Sequence, residues 1–150
     1  TFDGSDNLQS SSQISLTGDY TIGVKFKPTG TVSNYAVLGD NTTANQFIIL
    51  FDDDTIRIKS GGAVKGISIT DGSKFSEGGY FVLTRDNSNF TLFWNGVQQS
   101  QVTSVAGTQL VDTIGGHYTK DYVGDILEIQ IYSSTSAALT AEINTRLSTL

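Results

Sequence analysis

The 150-residue chain has no cysteine and no methionine, and only one proline, one tryptophan and one histidine. Without thiols, neither a disulfide framework nor a thiolate metal site is available, so the fold must hold by packing alone. With a single His and no Cys, a nucleophile–base pair would have to recruit a serine by spatial accident. Neither a Gly-x-Ser-x-Gly elbow nor a phosphate-binding glycine loop is present. Nine basic residues against fifteen acidic ones leave a net charge of −6. That excludes the basic footprint nucleic acid needs and disfavours an anionic membrane surface. No apolar run approaches the ~18–20 residues of a spanning helix, so membrane insertion is not expected. Lys and Glu are scarce while Gly, Ser, Thr and Asn are common, which suits short strands and turns rather than helices. Methionine is missing even from position 1, and Thr1 stands almost inside the first apparent strand. The expectation is one domain, residues 1–150, excised from a longer chain.

What is present centres on residues 79–96, GYFVLTRDNSNFTLFWNG. Two aromatic and β-branched runs, 80–84 and 90–94, flank a polar Asp/Asn/Ser cluster, the pattern of a β-hairpin. Asn95-Gly96 then supplies the positive φ angles of a second tight turn into residues 97–102. Strand alternation puts Phe90, Leu92 and Trp94 on one face and Thr91 and Phe93 on the other, with Tyr80, Val82 and Thr84. Both faces carry large apolar groups, so this hairpin is expected mid-sheet with something packed on each side.

Elsewhere, residues 20–27 alternate strictly, with Tyr20, Ile22, Val24 and Phe26 on one face, and Pro28 ends the run. Further strands are expected at 13–16, 35–39, 46–52, 56–59, 64–69, 113–116 and 122–132. In the last of these Leu127, Ile129 and Ile131 face one way and Ile126, Glu128 and Gln130 the other. Residues 102–112 carry the least pattern and read as a long connection. Over 136–150 the period changes, with Leu139, Ile143, Leu147 and Leu150 at helical spacing, Thr140 as N-cap and Glu142 in the first turn. Many short strands, regular turns and one terminal helix make an all-β, two-sheet antiparallel sandwich.

Several of these stretches carry a resemblance. Leu83-Thr84-Arg85-Asp86 and Leu92-Phe93-Trp94-Asn95-Gly96-Val97 resemble the "LTRDG…LTLYVNGV" core of concanavalin A-like, laminin-G-like jelly-roll domains. The opening Thr1-Phe2-Asp3-Gly4-Ser5-Asp6 and Gly124-Asp125-Ile126-Leu127-Glu128-Ile129 resemble that family's "FDGSDDYV" and "GDIAEI" motifs, and Ala138-Leu139-Thr140-Ala141-Glu142 its "ALSxAE". The resemblance implies a jelly roll with a C-terminal α-helix. The short Gly/Ser/Thr/Asn-rich form and its ending look like domains of bacteriophage tails, fibres and capsid decorations, which implies a virion-surface or extracellular location within a larger assembly.

Some relatives in this fold are glycoside hydrolases with Glu-x-Asp-x-x-Glu on one strand. Here Gln130 and Ser133 replace the second and third carboxylates, leaving Glu128 alone, and retaining hydrolysis needs two carboxyl groups about 5–5.5 Å apart. The hydrolase reading is rejected, and no enzyme is expected. Two functions remain. One is adhesion to a host-surface glycan, with Tyr80, Phe93, His117, Tyr118 and Tyr35 as the contacting residues. The other is a purely structural module held by neighbouring virion or surface proteins. His117, after Gly115-Gly116, reads either as an exposed loop histidine or as part of a sugar-contacting rim with Tyr118 and Tyr122. Trp94, sharing a face with Leu92, reads as core. Asp52-Asp53-Asp54 reads as a tight turn, since its spacing is not that of an EF-hand loop. No cofactor is expected, with calcium at Asp52, Asp53 or Asp54 the alternative reading.

Overall fold

The computed structural model describes residues 1–42, 46–103, 106–118 and 120–150. In chain order the strands are β1 (Phe2–Asp3), β2 (Leu8–Leu16), β3 (Tyr20–Pro28), β4 (Tyr35–Gly39), β5 (Phe47–Phe51), β6 (Thr55–Ser60) and β7 (Ala63–Ser68). They continue as β8 (Gly79–Asp86), β9 (Asn89–Trp94), β10 (Val97–Val102), β11 (Gln109–Ile114), β12 (Gly116–His117), β13 (Lys120–Asp121) and β14 (Val123–Tyr132), followed by helix α1 (Ala137–Ser148). Two six-stranded antiparallel sheets face each other, ordered β1-β14-β3-β8-β9-β10 and β2-β11-β4-β5-β6-β7. This is the expected jelly-roll sandwich.

The core lies between the sheets, and alternation explains who enters it. Tyr20, Ile22, Val24 and Phe26 from β3 meet Phe81 and Leu83 from β8 and Phe90, Leu92 and Trp94 from β9, all buried. The opposing sheet contributes Leu38, Ile48, Leu50, Ile56 and Ile58. Trp94 packs edge-on against Phe75 at 5.2 Å and near Phe26 at 5.8 Å, while its indole N–H donates to Ser73 Oγ at 2.7 Å. A buried indole needs such an acceptor. The turns use the residues that tolerate left-handed backbone. Asn87 and Ser88 link β8 to β9 with φ of 46° and 69°, and Asn95-Gly96 link β9 to β10 with φ of 47° and 83°.

Four expectations need correction. Residues 102–112 are not all connection, because β11 occupies Gln109–Ile114 (residues 104–105 lie outside the described set). Gln109, Asp112 and Thr113 are buried polar groups, and Asp112 Oδ1 accepts from Asn41 N and Thr113 Oγ1; their polarity hides the strand pattern. The strand expected at 13–16 is β2 and begins at Leu8, on an edge where eight of nine residues are exposed. In β14 a bulge lies between Ile126 and Glu128. The extra residue reverses the parity, so Ile126 joins Ile129 and Ile131 against the core while Leu127 is turned out, 54% exposed. Finally, Ser136 is the N-cap of α1, its Oγ accepting from Leu139 N at 3.1 Å. Thr140 is already inside the helix, donating to Ser136 O, and Glu142 lies beyond the first turn.

Candidate functional site

The outer face of β3 and β8 is covered by α1, and how the helix is seated creates a groove. Ile143 and Leu147 bury against Tyr80 and Val82, with Phe93 and Leu139 at the margin. Close seating depends on Gly23, where an added Cβ would lie 2.5 Å from Ile143 Cγ2 and 3.1 Å from Leu147 Cδ1. The side of α1 that faces β9 and β10 carries small and polar residues in place of the large apolar ones that seat it. Ala137, Thr140, Ala141 and Asn144 stand off from β9 and β10, leaving a groove of about 720 Å³.

Phe93 and Thr91 form its floor beside their cross-strand partners Gln98 and Gln101, and Gln101 Nε2 donates to Thr91 Oγ1 at 2.9 Å. Thr84, Asp86, Asn87 and Asn89 close one end; Thr135 and Ser136 approach from the helix side. Asn144 donates its amide to Thr140 O at 2.9 Å, leaving Oδ1 buried without a partner. The groove thus offers one half-buried aromatic ring surrounded by amides and hydroxyls. A ring of that kind takes the C–H face of a pyranose, and planar amides match vicinal hydroxyls with paired donor and acceptor.

The five residues singled out from sequence are distributed over three places. Phe93 is in the groove, with Tyr80 next to it but 7% exposed beneath α1. Tyr35 lies at one end of the core, its ring 5.7 Å from Tyr122 and its hydroxyl donating to Thr29 O at 3.2 Å. Tyr122 is wholly buried, so no rim of Tyr122, His117 and Tyr118 exists. His117 is not an exposed loop residue either. It lies in β12, 3% exposed, with its ring 5.3 Å from Phe47 and 5.1 Å from Tyr118. Burial holds its imidazole below the ordinary histidine value, Asp40 opposing and Lys59 and Lys120 assisting. Tyr118 is 59% exposed and tied down by Asn41 Oδ1 and Thr42 O. His117 and Tyr118 therefore belong to the small β12–β13 hairpin, which packs against β4 and β5 of the other sheet, away from Phe93.

The aspartates at 52–54 do the work of a turn. Asp52 and Asp53 hold φ of 51° and 62°. Asp53 accepts from Ser76 N and Oγ, each at 2.7 Å, and Asp54 pairs with Lys74 at 3.0 Å. That pairing holds the Asp54 carboxyl below its ordinary value. Glu128 forms an ion pair with Arg146 of α1 at 2.8 Å and accepts from Gln130, which likewise lowers its carboxyl. Its role in the structure is to anchor the helix.

The groove residues missed from sequence are Gln98, Gln101, Asn87, Asn89 and Asn144. The signal for Gln98 was there, since the hairpin register that follows from Asn95-Gly96 sets it opposite Phe93; Gln101 comes opposite Thr91 only through a bulge between Gln98 and Gln101.

With this architecture, the chain belongs to the concanavalin A-like lectin/glucanases superfamily, whose laminin-G-type family model matches residues 2–143. No curated protein matches it in sequence. Among solved structures it is similar to Ruminococcus gnavus IT-sialidase CBM40 bound to α2,3-sialyllactose, with a TM-score of 0.64 and 15% identity over 87% of this chain and 83% of that one. It is also similar to the heptameric SAP-like pentraxin of Limulus polyphemus, with a TM-score of 0.67 and 13% identity over 99% and 78%. Mouse laminin α1 domains LG4-5 give a TM-score of 0.64 and 14% identity over 87% and 39%. At these identities the likeness is one of fold.

Proposed function

We propose that this domain is a non-catalytic, lectin-like module that binds a glycan in the groove between α1 and the outer face of β8, β9 and β10. The observation that carries the reading is Phe93, held half-buried on a rigid strand and ringed by Thr91, Gln98, Gln101, Asn89 and Asn144 in an open groove of about 720 Å³. A rigid aromatic among planar amides is the chemistry of neutral sugar recognition. The sialyllactose-bound relative of the same fold is consistent with it. The absence of catalysis is supported by Glu128, engaged with Arg146 and Gln130, and by His117, buried between Phe47 and Tyr118. The family-like ending of β14 and α1 supports display on a virion or another extracellular surface, where such binding would serve adhesion to a host.

A glycan array on the isolated domain, with calcium and again with EDTA, tests the reading. Binding to one neutral sugar family, reduced about tenfold or more by Phe93→Ala, is the expected result. A blank array from folded domain, or binding indifferent to Phe93→Ala, overturns it. EDTA sensitivity would reassign the aspartate turn as a calcium site. The second reading, a structural module held by neighbouring proteins, draws on Leu8 of the edge strand β2 and Leu127 of β14, 63% and 54% exposed and lining one shallow pocket. A blank array favours it.

A further inference from the structure

The opposite face of the sandwich has a different chemistry. On β5 and β6 the core-facing pairs are Ile48–Ile58 and Leu50–Ile56, so the intervening pairs Phe47–Lys59, Ile49–Arg57 and Phe51–Thr55 face outward. Val64, 52% exposed, extends the face opposite Lys59, and Gly66 leaves it open opposite Arg57. The Arg57 guanidinium lies 3.2 Å over the Phe51 ring. At the other end the ring of His117 backs Phe47, and the exposed Tyr118 continues the aromatic row. Lys120 is the hairpin partner of His117.

On a chain of net charge −6, this face presents Arg57, Lys59 and Lys120 together. None of the three enters an ion pair among the described residues, whose pairs are Thr1–Asp125, Lys74–Asp54 and Arg146–Glu128. Of the acids in the turn after Phe51, Asp53 is engaged by Ser76 and Asp54 by Lys74, while Asp52 stands in the turn itself with φ of 51°. Asp40 sits behind His117 with Oδ1 taken by Gln13 and Thr42, and Asp121 shares the opposite side of its hairpin with Gly116. Stacking on Phe51 desolvates one side of Arg57 and orients its donors outward in a fork matched to a carboxylate. Half-buried Phe47, opposite Lys59, supplies apolar surface for a ring, while Phe51 serves as the seat of Arg57.

We infer that the outer face of β5 and β6 is a second sugar site, selective for a carboxylate-bearing sugar, with Arg57, seated on Phe51, and Lys59 receiving the carboxylate and Phe47 the ring. It extends the glycan reading above but uses none of the groove residues, so the two stand or fall separately. The positive charge disfavours neutral sugars only weakly, whereas an acidic sugar gains two charge-assisted contacts on an aromatic bed. The groove, by contrast, is lined by Asp86, neutral amides and hydroxyls and offers a carboxylate no cation.

The test is calorimetric titration of the folded domain with tri-galacturonate and with α2,3-sialyllactose, using lactose as the neutral control. Backbone amide shifts are followed in parallel. The expected result is binding of at least one acidic probe, with shifts centred on β5 and β6, weakening as salt rises. The double variant Arg57→Gln, Lys59→Gln should lose about tenfold or more in affinity, while Phe93→Ala leaves it unchanged. Each arm states which source of carboxylate is preferred, a uronate or a sialic acid. Failure of both acidic probes overturns the proposal, as does acidic binding that survives the double variant or disappears with Phe93→Ala. Binding of phosphatidylserine vesicles in place of either sugar would assign the face to an anionic membrane instead. A neutral-sugar array that is blank while acidic binding persists would remove the groove reading and leave this one intact.

Discussion

The two outer faces of the sandwich are built by the same alternation and end differently. On the sheet containing β8 and β9, Tyr80, Val82 and Phe93 are apolar and receive a helix. On the sheet containing β5 and β6, Phe47, Ile49 and Phe51 are no less apolar, yet Ile49 is 2% exposed without a helix over it. There, Arg57 and Lys59 are half-buried on the outward face, with the Arg57 guanidinium stacked over Phe51, as long cationic side chains with apolar stems allow. A helix makes a cleft with walls; snorkelling cations make an open, charged platform. The difference decides what each face can hold.

The strongest way to break the comparison is to unseat the helix. Leu147→Ala removes a fully buried side chain from the small cluster under α1 and should cost about 2–5 kcal/mol. Urea unfolding measures this. Loss of groove binding should accompany it, while the charged face keeps its acidic ligand. If groove binding survives in full, α1 is not a wall of the site. Ser136→Ala is a milder form of the same experiment. It deletes the acceptor for Leu139 N and should cost about 1 kcal/mol, fraying the groove-lining end of the helix first. Hydrogen exchange of residues 137–141 should rise before that of residues 143–148.

The gentlest perturbation is pH, and it reaches the other face. His117 has its pKa lowered in the folded state, so its contribution is complete above the unfolded histidine value of about 6.5 and is lost as pH falls from there towards the folded value. The loss should appear as a decline in melting temperature below about pH 6.5, absent in His117→Gln. Glu128 and Asp54, whose carboxyls are lowered by Arg146 and Lys74, add a further loss at more acid pH. A profile flat from pH 7 to 5 would show that His117 tolerates protonation and that the hairpin lies more openly than its 3% exposure implies.

Legibility from sequence followed how local the physics is. The β3 face, the Ile56/Ile58 pair, the core Trp94 and the Asn95-Gly96 turn were all readable, because strand period and left-handed φ are properties of a few adjacent residues. The facing of Ile126 and Leu127 was not, since a single bulge residue reverses parity and carries no signature of its own. Nor was β11, whose polar residues look like loop until distant partners are in place, Gln46 accepting from Leu110 N and Asn41 N donating to Asp112. At the site, Phe93 was readable as outward-facing, whereas Tyr80 needed knowledge of where α1 docks.

By itself the sequence determined the class of fold, the hairpin at its centre and the identity of its core, because alternation and turn chemistry act within reach of one or two residues. It determined also that Phe93 would stand apart from Trp94 on the same strand. Only the tertiary structure decided that five candidate residues would part to three places, that small residues on α1 would leave a groove over β9 and β10, and that Arg57 would come to rest on Phe51. These outcomes depend on contacts between segments far apart in the chain. Gly23 admitting Ile143 across 120 residues is the plainest case: neither residue signals the other until the sheet and helix meet.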